Sequence, residues 1–222
     1  IRRIMFLLHP DEAKKTKFIP HGMLRFADGK MSSRKGNIIT GEELLNEMET
    51  KALLKMEARE MTPAQKKDAA EKIAISAIKF SILRQSPGKD IIFDKEKSLS
   101  FEGDSGPYLL YAGVRVHSLL KKAAVAGVVP IYVNGEIKVT YLEKLLCRFG
   151  AVAHRAFEEK SPNLLVEYLV RLTSEFNNFY AIGKIIDKED KNSAHKLAVS
   201  SLFGKVLEEG LYLLGIHIPE EM

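Results

Sequence analysis

The chain is short of several things, and each shortage narrows what it can be. It has one cysteine, Cys147, in 222 residues. A single thiol allows no internal disulfide and no cysteine-built zinc site. The expected compartment is therefore reducing, and the expected location is the cytoplasm. No apolar run approaches the roughly 18–20 residues needed to cross a bilayer, so no membrane partner is expected. No internal repeat or low-complexity tract is present. No charged start leads into an apolar stretch at Ile1, so no signal peptide is read there. The chain reads as a piece of a longer protein, able to carry part of an active site.

What is present is ordinary globular composition, with 45% hydrophobic and 28% charged residues. That excludes intrinsic disorder. The length suits one helical domain plus part of another. The net charge is +5, but residues 1–40 alone carry +6, from nine basic and three acidic side chains. A polyanion would be drawn to that first segment.

Residues 1–40 read as irregular, after which the pattern turns helical. Leu44, Leu45, Met48, Ala52 and Met56 make an apolar stripe for a helix over 42–60. Thr62, Pro63, Ala64, Gln65 is a capping box with proline at the first helical position, opening a helix to about residue 84. Ile91 to Phe93 suggests a short strand in an extended linker. Further helices are expected over 108–126, ended by Gly127, then over 140–159, 162–180 and 193–214. Residues 128–139 alternate like a hairpin around Asn134 and Gly135. Four or five antiparallel helices with short connections make a bundle. The natural boundary falls near 86–104. Cys147 is expected to be a buried small apolar group, and the methionines 31, 48, 56 and 61 to be packing or loop filler.

Two constellations carry chemistry. The first is Lys30, Met31, Ser32, Ser33, Arg34, Lys35, Gly36, Asn37. Three cations, two hydroxyls and a glycine in one short loop can offer ammonium groups, hydroxyls and backbone amides to phosphate oxygens. Closed over a triphosphate, such a loop stabilises charge growing on pyrophosphate. A bare basic run is more often an exposed turn. This run resembles the K-M-S-K-S signature loop of class I aminoacyl-tRNA synthetases, and His21, Gly22, Met23 through Asp28, Gly29 resembles the stretch before it. Ser33 stands where the second lysine is usual and Arg34 where the last serine is usual. Lys30 and Lys35 are therefore the candidate catalytic cations.

The second constellation runs from residue 77 to 116. It includes Ile92, Phe93, Asp94 and the run Leu99, Ser100, Phe101, Glu102, Gly103, Asp104, Ser105, Gly106, Pro107, Tyr108. It resembles the segment of arginyl-tRNA synthetases that joins the catalytic and anticodon-binding domains. Tyr111, Ala112 and Arg115 resemble the element for which the DALR domain is named. Residues 175–180 and 213–222 fit the same family, and the resemblance covers about 18–222.

The resemblance implies a mainly α fold: the end of a class I, Rossmann-type catalytic domain (1–41), connecting helices and linker (42–104), and a DALR-type anticodon-binding bundle (105–222). It implies a parent that attaches arginine to tRNA(Arg) using ATP with Mg2+, as a monomer, with tRNA(Arg), ATP and arginine as partners. Residues 30–36 would form the ATP loop, and no metal ligand is expected within the chain. None of His9, His21, His117, His154, His195 or His217 lies in the His-x-Gly-His element that completes the ATP site. The chain alone is therefore expected to be inactive and to hold no cofactor tightly.

For tRNA contact the candidates are Asn177, Asn178, Tyr180, Arg115 and Met222. Tyr180 could stack on a base while Phe176 faces the core. Asn177 and Asn178 could meet base edges or simply lie on the helix surface. Arg115 could meet a phosphate or form an internal ion pair. Met222 is a candidate because the family's C-terminus packs beside the anticodon surface. Another class I synthetase, a non-catalytic RNA-binding module and a plain helical scaffold stay open as alternatives.

Overall fold

The computed structural model describes residues 2–27, 39–132 and 138–222. The signature-like loop and the Asn134, Gly135 turn lie outside the described residues. The fold is mainly α, as expected, with one small parallel sheet.

Contrary to the expectation for residues 1–40, that segment is not irregular throughout. Helices α1 (Arg2–Leu8) and α2 (Pro10–Lys15) and strand β1 (Leu24–Phe26) occupy it. β1 pairs in parallel with β2 (Ile91–Phe93), Leu24 opposite Ile91 and Phe26 opposite Phe93. A three-residue strand carries too little alternation to be read locally; its partner lies 67 residues away. Phe26 and Phe93 meet edge to face at 6.0 Å.

Helix α3 (Gly41–Lys55) opens on a Thr40/Glu43 capping box and ends earlier than expected. Met56, 2% exposed, caps it and turns into the core, leaving room for the reversal into α4 (Pro63–Leu83). α4 starts on the expected Thr62/Gln65 box. After β2, the short helix α5 (Lys95–Ser98) is capped by Asp94, whose carboxylate accepts from the backbone N–H groups of Glu96 and Lys97.

Helix α6 (Gly106–Ala126) is the central rod. It starts on the Ser105 cap and ends at Gly127, which takes the left-handed conformation (φ 71°) that favours glycine. Gly106 lies so close to α4 that a Cβ there would be 2.3 Å from the Ser76 carbonyl oxygen. The expected helix over 140–159 is two helices, α7 (Tyr141–Leu146) and α8 (Phe149–Glu159), broken at Cys147 and Arg148. Cys147 is exposed rather than buried, because the break turns it away from the face that buries Leu142, Leu145 and Leu146. α9 (Pro162–Ala181) and α10 (Ser193–Leu213) complete the bundle.

Of the hairpin-like segment, residues 128–132 form no strand; the Ile131 N–H donates to the Ala194 carbonyl instead. Tyr132 donates to the buried Glu143 carboxylate at 3.2 Å. The larger apolar core among the described residues runs through α3, α4, α6, α7, α9 and α10, and a smaller one gathers Leu119, Ala123, Ile185 and Leu197. At the centre of the larger core Phe176 and Phe203 stack at 3.9 Å with an interplanar angle of 6°. Among the described residues no helix is long and apolar enough to cross a membrane.

Candidate nucleic-acid interface

Tyr108, Tyr111 and Arg115 recur at i, i+3 and i+7 on α6, which places them on one face. The opposite face buries Leu109, Leu110, Ala112 and Val116. On α9, Phe176 is fully buried, and Asn177 and Tyr180 flank it on the side toward α6. Two amphipathic helices thus bring their polar and aromatic edges to one cleft.

The cleft has a volume of about 480 Å³. Its walls come from four parts of the chain: the end of α3, residues 101–103, α6 and α9. Met222 closes one side. The tail that delivers it is held in four places. Ile216 is buried. Ile218 lies over Gly113, where a Cβ would sit 2.5 Å from the Ile218 Cδ1. The Gln65 amide donates to Glu221 at 3.3 Å. Lys79 also donates to the Gly215 carbonyl.

Arg115 sits at the heart of the cleft. Its Nη1 donates to the Asn177 Oδ1 at 2.9 Å. Its guanidinium lies 4.7 Å from the Tyr111 ring centroid and 5.2 Å from that of Tyr180. Cation–π contact on two rings holds the group in place without a carboxylate. No internal ion pair is formed by Arg115 among the described residues, so that expectation is corrected. Asn177 Nδ2 in turn donates to the Tyr108 hydroxyl at 2.8 Å. Arg115 has only donors, so the amide oxygen must face it and the amide NH2 must face Tyr108. Tyr180 rests its inner side on Phe176 at 6.0 Å and is 36% exposed.

Of the five tRNA candidates, Arg115, Asn177 and Met222 line the cleft and Tyr180 stands over Arg115. Asn178 does not line it; it points outward, one residue round the helix from Asn177. Asn177 is neither free surface nor an open base-edge reader, since its oxygen and nitrogen both serve neighbours. The sequence reading missed Tyr108 as a site residue, although its i, i+7 spacing to Arg115 was a usable signal. Phe101 and Glu102 stood in the resembling run 99–108 without being marked as site residues, and Lys55 and Arg59 gave no signal, because only folding brings them to α6.

Lys30, Met31, Ser32, Ser33, Arg34, Lys35 and Gly36 lie outside the described residues. The chain leaves β1 at Ala27, whose N–H donates to the Phe93 carbonyl at 3.0 Å, and re-enters at Ile39 before the Thr40 cap. Beside that departure point, α3 is pinned to α5 by two crossed ion pairs, Glu47 with Lys95 at 2.7 Å and Lys51 with Glu96. Among the described residues no group of three or more His, Cys, Asp or Glu gathers to hold a metal. No magnesium site is therefore assigned to them.

A second polar cluster supports the bundle away from the cleft. Burial pushes the Glu143 carboxyl up, but the Thr140 backbone N–H and hydroxyl, the Tyr132 hydroxyl and His195 outweigh it and hold the carboxyl below its usual range. Burial pushes the Tyr168 hydroxyl up to about 12, and that hydroxyl donates to the Leu145 carbonyl.

Residues 109–222 match the family described as the DALR anticodon binding domain. Residues 1–95 match the family described as tRNA synthetases class I (R), catalytic domain. An arginine–tRNA ligase of Fusobacterium nucleatum is 37% identical over 208 residues, which is 90% of this chain and 36% of that protein. One from Clostridium kluyveri is 33% identical over 221 residues, covering 97% of this chain and 39% of its own length. The arginyl-tRNA synthetase of Thermus thermophilus superposes with a TM-score of 0.81 at 29% identity, over all of this chain and 38% of that one. The chain thus spans little more than a third of the relatives it matches, and corresponds to their C-terminal region.

Proposed function

The chain belongs to the DALR anticodon-binding domain family, in an arginyl-tRNA synthetase-like class I setting, and from that premise we propose that its bundle reads the anticodon of tRNA(Arg). The observation that carries this reading is Arg115, held against the rings of Tyr111 and Tyr180 and hydrogen-bonded to Asn177 at an open cleft. Splayed single-stranded bases are bound by such aromatic and guanidinium planes, each stack contributing about 1–3 kcal/mol. Arg115 has donors left over after Asn177 for a base edge or phosphate, and Tyr180 is 36% exposed beside it.

In the whole protein the proposed activity is ATP-dependent attachment of arginine to tRNA(Arg), in the cytoplasm, by a monomer. Lys30 and Lys35, within the loop 30–36, are proposed to meet the phosphates of ATP, with Mg2+ supplying further charge neutralisation when bound. The chain alone is proposed not to aminoacylate, since it holds no His-x-Gly-His element.

The test is a binding titration at fixed moderate salt. It compares tRNA(Arg) with the same tRNA carrying a changed central anticodon base. Several-fold weaker binding of the altered tRNA is expected. Equal binding would reduce the chain to a backbone-binding RNA module, and absence of binding to either would overturn the reading. Aminoacylation by the pure chain would refute the proposal that it is inactive alone.

A further inference from the structure

The cleft has a cationic edge that comes from the other matched region of the chain. Lys55 and Arg59 both line it, and they lie four residues apart at the end of α3 and the turn beyond it. Both side chains are exposed. Three of the charges earlier on α3 are already engaged: Glu43 in the capping box, Glu47 with Lys95, Lys51 with Glu96. Lys55 and Arg59 make no ion pair among the described residues, although Lys55 adds a longer-range pull on Glu96. Glu102, from residues 101–103 of the same cleft, forms no ion pair with either. A lysine in the last turn of a helix is explained by the helix dipole alone. Arg59 lies beyond α3, where that explanation no longer reaches.

We propose that Lys55 and Arg59 form a phosphate-holding rim, gripping the backbone of the strand whose base lies against Tyr111 and Arg115. The proposal rests on the anticodon reading above and extends it. Helix α3, from the region matching the catalytic-domain family, becomes part of the anticodon interface. A cationic edge beside an aromatic floor is the arrangement that holds single-stranded nucleic acid, the edge tracking phosphates and the floor stacking bases. Phosphate contacts position the strand, while base contacts specify it. The rim therefore contributes affinity and register, and leaves base preference to Arg115 and its neighbours.

The experiment measures tRNA(Arg) binding across a range of monovalent salt, for the chain and for a Lys55→Gln/Arg59→Gln double variant. Each phosphate contact on a single strand contributes about 0.7 to the slope of log affinity against log salt. The double variant is expected to lose about 1.4 from the magnitude of that slope, by the same relation. It should bind the native and the altered anticodon more weakly by the same factor, so that preference is kept. Lys55→Arg/Arg59→Lys, which keeps both charges, should retain the slope. An unchanged slope in the Gln variant, with unchanged thermal unfolding, overturns the rim. Loss of base preference at constant slope also overturns it, because the two residues would then be reading bases. If the unmodified chain shows no anticodon preference, the anticodon reading fails by itself, and the slope comparison still decides whether the rim holds phosphate.

Discussion

Asn177 on α9 accepts a 2.9 Å hydrogen bond from Arg115 on α6, and with its amide nitrogen holds the Tyr108 hydroxyl at 2.8 Å. One side chain thereby ties two points of α6, seven residues apart, to α9. It also sets the plane of the guanidinium between two tyrosine rings. Asn177 is a positioning residue: it shapes what Arg115 presents and has little left to offer a ligand itself.

Arg115→Lys should separate charge from shape. An ammonium keeps the charge but cannot lie flat between two rings or keep the fork toward Asn177. We expect the affinity ratio between tRNA(Arg) and its altered-anticodon form to fall toward one, with a smaller loss of total binding. Paired titrations read both numbers. A ratio as large as in the unmodified chain would mean Arg115 does not discriminate bases.

Tyr180→Ala should weaken tRNA binding by about 1–3 kcal/mol, the range for one lost base stack. Tyr180→Phe should restore most of it, since the ring and not the hydroxyl does the stacking. Equal weakening in both variants would point to the hydroxyl instead.

Gly106→Ala should be among the most damaging single changes in the chain. The added Cβ would lie 2.3 Å from the backbone oxygen of Ser76, which has no flexible end to move aside. α4 and α6 must part for it to fit. Overpacking of this kind costs about 1–3 kcal/mol or more, and chemical unfolding would measure it. A variant as stable as the parent would show that the two helices can shift at no cost.

Phe176→Ala should cost about 3–5 kcal/mol, as for other buried aromatics. It removes the ring stacked on Phe203 and the ledge beneath Tyr180. Binding measured well below the unfolding transition should also weaken, because Tyr180 loses its inner support.

The acid side of the stability profile should carry a signature of Glu143. Its carboxyl is held below the ordinary 4.5 in the folded chain. A depressed folded value adds stability that is complete above the unfolded value and is lost as pH falls through the folded one. Glu143→Gln should therefore be less stable at neutral pH, by about 1–3 kcal/mol for disrupted buried hydrogen bonds. The difference should shrink as pH drops below about 4.5. Unfolding curves at several pH values test it; a constant difference would mean that Glu143 is not the group being titrated.

The sequence by itself determined the helical class, most helix starts and the family. Those features rest on neighbours: Thr62 with Gln65, Thr140 with Glu143, Ser105 before Pro107, glycine after residue 126. It also marked Arg115, Asn177, Tyr180 and Met222, by residue type and family wording. Only the tertiary structure decided what those residues do. That Arg115 rests on two tyrosines instead of a carboxylate depends on how α6 lies against α9. That Lys55 and Arg59 share its cleft depends on how α3 packs on α4. The β1–β2 pair and the break at Cys147 were illegible for the same reason. A three-residue strand or a two-residue interruption is fixed by partners far along the chain, and local pattern holds no record of distant partners.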